Sequence, residues 1–177
     1  MKSHDESKPL LHYTLISAAV KHCQTLGYHR ERTYQNDRTG NAENMRQLFW
    51  TVYTLDKSTS LPEGRAAMLQ DLDIDARHPV PLTDPALRPW REYFLITIDL
   101  AKVQGEIYNT FYSAAASRLS QSERTHHSER LVAALHRWRR ETQQVGEEIG
   151  PTGNVLTTCV DSVGRSQLAR CSRGHYE

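Results

Sequence analysis

The sequence predicts an all-α fold: about four main helices, a proline-rich central linker and an irregular C-terminal tail. Three observations predict it. Apolar residues recur with helical spacing over four separate stretches. Four of the seven prolines, Pro62, Pro79, Pro81 and Pro85, fall within 61–88, where they interrupt any continuous helix. The one run that could form a strand, 155–163, has no second strand to pair with.

The first helix spans residues 10–26. Leu11, Leu15, Ala18, Ala19, His22 and Leu26 share one side, which is therefore the expected inner face, and Gly27 is a natural stop. Residues 28–40 are polar, carry Asn36-Asp37 and Gly40, and predict a loop. The second helix has Asn41 at its N-cap and Glu43 in its first turn, at the positive end of the helix dipole. Met45, Leu48, Phe49, Val52, Leu55 and Thr59 form its apolar stripe, which Trp50 and Tyr53 widen. Pro62 and Gly64 end it. Asp56 sits at the edge of the buried face, where an unpaired carboxylate is costly. Arg65 is close enough in sequence to fold back onto it, so an Asp56–Arg65 pair is expected to brace the helix end, in a structural and not a catalytic role.

Residues 61–88 are expected to run over the surface and join two helical pairs. A third helix, 88–116, turns Trp90, Phe94, Ala101, Gly105, Tyr108, Phe111 and Tyr112 inward, with Gly105 admitting a close neighbour. The fourth spans 121–149. Ser120 and Glu123 form a capping-box pattern at its start. Leu131, Leu135, Trp138, Thr142, Val145 and Ile149 make a heptad-like seam suited to packing within the domain. Gly150, Pro151 and Gly153 break the helix, and 150–177 reads as a disordered or loosely docked tail. Residues 1–9 read as a flexible N-terminus, leaving 10–149 as the folded part.

A length of 177 residues suits one domain with a modest core. A hydrophobic content of 38% and a mean hydropathy of −0.66 place it on the polar side for a self-sufficient globule. The net charge of +1 gives no bulk field for nucleic acid or an anionic membrane. No apolar run is long enough to span a bilayer, and the N-terminus lacks the apolar core of a secretory signal. These features predict an intracellular chain with reduced cysteines.

Motifs of catalysis and metal binding are missing. Cys23, Cys159 and Cys171 are dispersed, without a Cys-x-x-Cys pair. No two of the nine histidines are three or four residues apart; His126 and His127 are adjacent and diverge on a helix, and His22, Cys23 and His29 lack an acidic partner. The turn GPTGN lacks the Lys-Ser/Thr ending of a phosphate loop, and no Gly-x-Ser-x-Gly elbow occurs. The acidic run DLDID at 71–75 reads as a solvated loop or as caps for a short helix. The basic run 136–140 reads as a solvent face built around Trp138, and as a weak nuclear import signal. No catalytic or metal-ligating residue is assigned, and the chain is not expected to be an enzyme.

One stretch carries more. Residues 46–65 present Arg46, Phe49-Trp50, Tyr53, Asp56 and Gly64-Arg65 in order, followed by Asp73-Ile74-Asp75, Pro79 and Pro81. Upstream, an alanine-containing helix ends in Leu26, Gly27, Tyr28, His29 and Arg30. This order resembles the fungal-specific transcription factor domain, the middle regulatory region of zinc binuclear-cluster transcription factors. The resemblance covers roughly 15–145 and is densest over 26–81; Ala66 departs from it, standing where the family prefers proline.

The resemblance implies a signature of Phe49, Trp50, Tyr53, Asp56, Gly64 and Arg65, and a role in transcription regulation, for instance of a metabolic or biosynthetic gene set. It implies a nuclear location, with the cytoplasm as the alternative. It implies other transcription regulators or a second copy as partners, only indirect contact with DNA, and a small-molecule effector. If an effector binds, Phe49, Trp50, Tyr53 and Trp90 form the candidate pocket. Zinc belongs to the family's DNA-binding module, whose six clustered cysteines are missing here, so no cofactor is expected. The chain then reads as an excised middle piece, as from a truncated or remodelled gene. The alternative reading is a small helical metabolite-binding protein or enzyme of a biosynthetic pathway.

Overall fold

In the computed structural model, the described residues are 7–80 and 84–150. They form four long helices and one short one, joined by short 3₁₀ and π-helical turns and by the irregular stretch 65–80, with no strand among them. The chain divides into two compact units, Met1–Val80 and Pro81–Glu177. The C-terminal tail, its proposed strand, the GPTGN turn after Gly150, and Cys159 and Cys171 lie outside the described residues.

The first unit contains α1 (Ser7–Thr25), α2 (Glu31–Gln35) and α3 (Ala42–Ser60). Both α1 and α2 pack on α3. The face of α1 that is buried is Ile16, Val20 and Cys23, not the predicted one; Leu11, Leu15, Ala18, His22 and Leu26 are exposed. The sequence misleads because α1 is apolar on two opposite sides, so spacing alone cannot choose between them. The predicted loop at 28–40 contains α2. Gly27, at φ 73°, makes the turn into it, and a Cβ there would lie 3.0 Å from the Thr33 hydroxyl, which itself donates to the Gly27 carbonyl at 2.7 Å.

In α3 the buried face is rotated from the predicted stripe. Phe49, Trp50, Val52 and Tyr53 are buried as expected, whereas Leu48 and Leu55 are exposed. Arg46, Asp56, Lys57 and Ser60 are buried instead. Asn41 occupies the N-cap position but makes no side-chain cap; its backbone N–H donates to Asp37 at 2.8 Å. The helix tightens into a 3₁₀ turn, Leu61–Glu63, and stops at Gly64, whose φ of 65° is left-handed. Residues 65–80 do not simply cross the surface. Leu69, Ala76 and Pro79 are buried, and a second 3₁₀ turn forms at Asp71–Asp73.

The second unit is a helical hairpin. Asp84 accepts from the N–H of Ala86 at 2.9 Å and opens a 3₁₀ turn, Pro85–Leu87, that leads into α4 (Arg88–Ile107). The helix ends earlier than predicted, in a π-helical turn at Tyr108–Tyr112 with the two tyrosine rings stacked at 6.3 Å. Ala101 and Gly105 face inward as expected, but aliphatic Ile96, Ile98, Leu100 and Ile107 carry the buried face, while Trp90 and Tyr112 are exposed. The capping box at Ser120 and Glu123 opens α5 (Gln121–Ile149). Its seam of Leu131, Leu135, Trp138, Thr142 and Val145 is buried against α4. Arg88 meets Glu148, the Trp138 indole donates to the Ile96 carbonyl, and Arg130 meets Glu106, so the helices run antiparallel.

Candidate functional site: a polar spine along α3

Four of the six signature residues, Phe49, Trp50, Tyr53 and Asp56, lie on α3, and the last three hold the segment that follows it, while Gly64 and Arg65 lie beyond the helix end. Asp56 is fully buried. Its two oxygens accept from the backbone N–H groups of Met68 at 3.1 Å and Leu69 at 2.8 Å. Burial pushes its carboxyl pKa up, and the two N–H groups pull the other way. One turn earlier, Tyr53 donates its hydroxyl to Asp71 at 2.5 Å, and Lys57 donates to the other oxygen of Asp71 at 3.0 Å. The Trp50 indole N–H donates to the carbonyl of Arg77 at 2.8 Å, and its ring meets His78 edge-on at 4.8 Å.

Arg46 completes the spine. Its guanidinium is bidentate to Glu31, at 2.6 and 3.2 Å, donates to the Arg77 carbonyl at 3.2 Å, and lies 4.1 Å over the Tyr34 ring. Its Nε is 3.3 Å from Glu43, close enough for ion pairing but not aligned for a hydrogen bond. Glu31 also accepts from the Arg77 N–H at 2.8 Å, and Asp75 accepts from the Glu31 N–H at 2.9 Å. The Arg46 hydrogen bonds hold the Glu31 carboxyl below the usual glutamate range. Glu43 closes the far end, accepting from the Val80 N–H at 2.8 Å.

The order of these contacts is regular. Moving back along α3 from Asp56 to Glu43, partners advance from Met68 to Val80. The segment therefore lies antiparallel along the helix, stitched to it by hydrogen bonds roughly once per turn. A segment with few strand or helix bonds of its own has backbone groups that must be satisfied elsewhere, and α3 provides the partners.

The structure replaces one expected interaction. Asp56 caps backbone N–H groups, and Arg65 pairs with Glu63 and lies 4.1 Å over the Tyr13 ring of α1. Two N–H groups twelve and thirteen residues away, and not the Arg65 guanidinium, satisfy the buried carboxylate. The DLDID run is also more than a solvated loop: Asp71 and Asp75 are both stitches of the spine. Phe49, Trp50 and Tyr53 come together, their rings edge-on at 5.3 and 5.1 Å. Trp90 lies in the second unit and is 41% exposed. That unit has a groove of about 430 Å³ on α4 and α5, where Asp99, Lys102, Glu106, Arg130, Arg137 and Glu141 surround Val103, Ala134 and Trp138. None of the four aromatic residues of the candidate pocket lines it.

Sequence reasoning passed over Glu31, Glu43, Lys57 and Asp71 as functional positions and gave Arg46 no partner. A signal was present: Glu43, Arg46, Trp50, Tyr53, Lys57 and Ser60 are separated by alternating steps of three and four. That is helical periodicity in polar and aromatic residues, which a count of apolar residues does not register.

The site is thus a device for holding backbone. Its carboxylates each accept from an N–H group, a hydroxyl or a cation, and no group of His, Cys, Asp and Glu residues suited to a metal occurs among the described residues. The fold and the spine define an all-helical domain whose buried charged residues dock its own backbone. Residues 5–140 match the family described as the fungal specific transcription factor domain, and the chain belongs to that family.

Relatives agree. A transcriptional regulatory protein of Schizosaccharomyces pombe is 27% identical over 126 residues, 66% of this chain and 16% of that protein. An ABC-transporter-regulating transcription factor of Aspergillus fumigatus is 26% identical over 137 residues, 72% of this chain and 15% of that protein. A second regulatory protein of S. pombe is 32% identical over 103 residues, 56% of this chain and 16% of that protein. The chain thus spans about one sixth of the length of these relatives. No solved structure matches it significantly.

Proposed function

We propose that this chain acts in transcription regulation as a non-catalytic helical regulatory domain, working in the nucleus through other regulators and reaching DNA through them. The observation that carries the reading is the family match over 5–140. It is supported by the spine, where residues of the family signature serve to hold a folded surface together. Small-molecule sensing is the finer part of the proposal, and control of a particular gene set is left to the relatives whose names state one. No helix among the described residues is long and apolar enough to cross a membrane, which is compatible with this setting.

The test is a reporter assay. The full chain, fused to an unrelated DNA-binding domain, should change transcription from that domain's site. The same fusion carrying Trp50→Ala should lose the effect, because removing a buried Trp costs about 3–5 kcal/mol. A nuclear, helical wild-type fusion that leaves transcription unchanged sinks the proposal. So does turnover of a metabolite by the purified chain.

A further inference from the structure

Within the described residues of the first unit, one apolar face of α1 is left uncovered. Leu11, Leu15 and Leu26 are 60%, 61% and 56% exposed, and Ala18 and His22 lie between them, also exposed. The steps of four, three, four and four place all five on one line. The backbone N–H of Leu26 still bonds to the His22 carbonyl at 2.9 Å, so the line continues past the last residue of α1. It is about 22 Å long at 1.5 Å per residue. The opposite side of the helix, Ile16, Val20 and Cys23, is the buried one. A helix apolar on both sides is normally covered on both.

Charge indicates what covers it. Acidic residues make up 21 of 177 in the chain, about one in eight, yet the 24 consecutive residues from Ser7 to Arg30 contain none. The same run carries Lys21 and His12, which flank the leucine line on its two sides and are both exposed. The same face of a second copy carries the same acid-free run and so offers no carboxylate of its own to Lys21. We infer that this face of α1 docks an acidic amphipathic helix of another protein, its leucine-type residues on the apolar line and its carboxylates beside Lys21 and His12. The mode is a helix laid along a helix, read at i, i+4 and i+7. It goes beyond the proposed regulatory role and does not rest on it.

The test uses the full chain and two synthetic helical peptides with the same leucine line, one flanked by glutamates and its twin by lysines. The glutamate peptide should bind about tenfold tighter than its twin at low salt, with the gap closing as salt screens the flanks. Leu15→Asp should abolish binding while keeping the wild-type circular dichroism and melting temperature, because Leu15 faces solvent. Lys21→Glu should shrink or reverse the preference. Equal binding by both peptides, or binding by neither, overturns the inference. Unfolding of Leu15→Asp overturns it too. Concentration-dependent self-association that Leu15→Asp removes would make a second copy the occupant and overturn it as well.

Discussion

Asp56 and Glu31 are two carboxylates of one unit with opposite electrostatics. Asp56 gives up water for two N–H donors and titrates above its ordinary value; Glu31 faces a guanidinium and titrates below its own. For Asp56→Ala, the N–H groups of Met68 and Leu69 lose their acceptor, which costs about 1–3 kcal/mol for each donor left buried and unpaired. Urea denaturation followed by circular dichroism measures it; a loss under about 0.5 kcal/mol would mean that the loop finds other acceptors. Glu31 sets a pH dependence. A depressed carboxyl stabilises the fold fully above its unfolded pKa and loses that contribution as pH falls through its folded pKa. Glu31→Gln should therefore be less stable than wild type at neutral pH. The gap should narrow on acidification below the ordinary glutamate value, about 4.3, and a gap constant down to pH 3 would rule out the Arg46 pairing as its source. Asp56 has the opposite sign, its raised pKa favouring the folded state as pH falls toward its ordinary value, so it partly offsets the acid loss of the wild type.

Helices differ in how openly they declare themselves, and the reason is physical. The fourth long helix was legible to its boundaries because its cap and its seam are each one-sided: Ser120 and Glu123 have no competing function, and only one line of apolar residues runs through a polar helix. α1 was legible as a helix but not as to its face, since it is apolar on two. In α3, the apolar count put Leu48 and Leu55 inside, whereas the segment from 65 to 80 rewards side chains that hydrogen-bond, and these pulled the buried face around to Arg46, Trp50, Tyr53 and Lys57. No local rule announces a partner more than ten residues away. The cap of α5 gives an element-scale prediction. The Ser120 hydroxyl and Glu123 form reciprocal bonds, with Ser120 N–H donating to Glu123 at 2.8 Å and Glu123 N–H donating to Ser120 at 3.3 Å. Ser120→Ala should cost about 1 kcal/mol. Since the two side chains also bond each other at 2.6 Å, Ser120→Ala with Glu123→Ala should cost less than the two single losses added. Strict additivity in thermal unfolding would show that the box is not formed.

At the scale of the whole chain, charge decides how it can meet nucleic acid. Twenty-two lysines and arginines face twenty-one aspartates and glutamates, so the long-range field is close to nil. The run at 136–140, the most basic short stretch of α5, offers no continuous phosphate track. Trp138 is buried in its middle, with its indole on the Ile96 carbonyl, and Arg137 shares its groove with Asp99, Glu106 and Glu141. Arg46, which opens the stretch of resemblance, is buried on Glu31 and so is withheld from phosphate. Phosphate neutralisation supplies nearly all non-specific affinity, which for dedicated binders gives dissociation constants of about 10⁻⁴–10⁻⁶ M at physiological salt. This chain should bind an arbitrary duplex more weakly than about 10⁻⁴ M under the same conditions, and its weak binding should change little between low and physiological salt, because few counterions are released. Fluorescence anisotropy with a labelled duplex across a salt series measures both quantities. Micromolar binding with a steep salt slope would mean that the chain carries its own DNA surface, and the indirect route to DNA would then have to be given up.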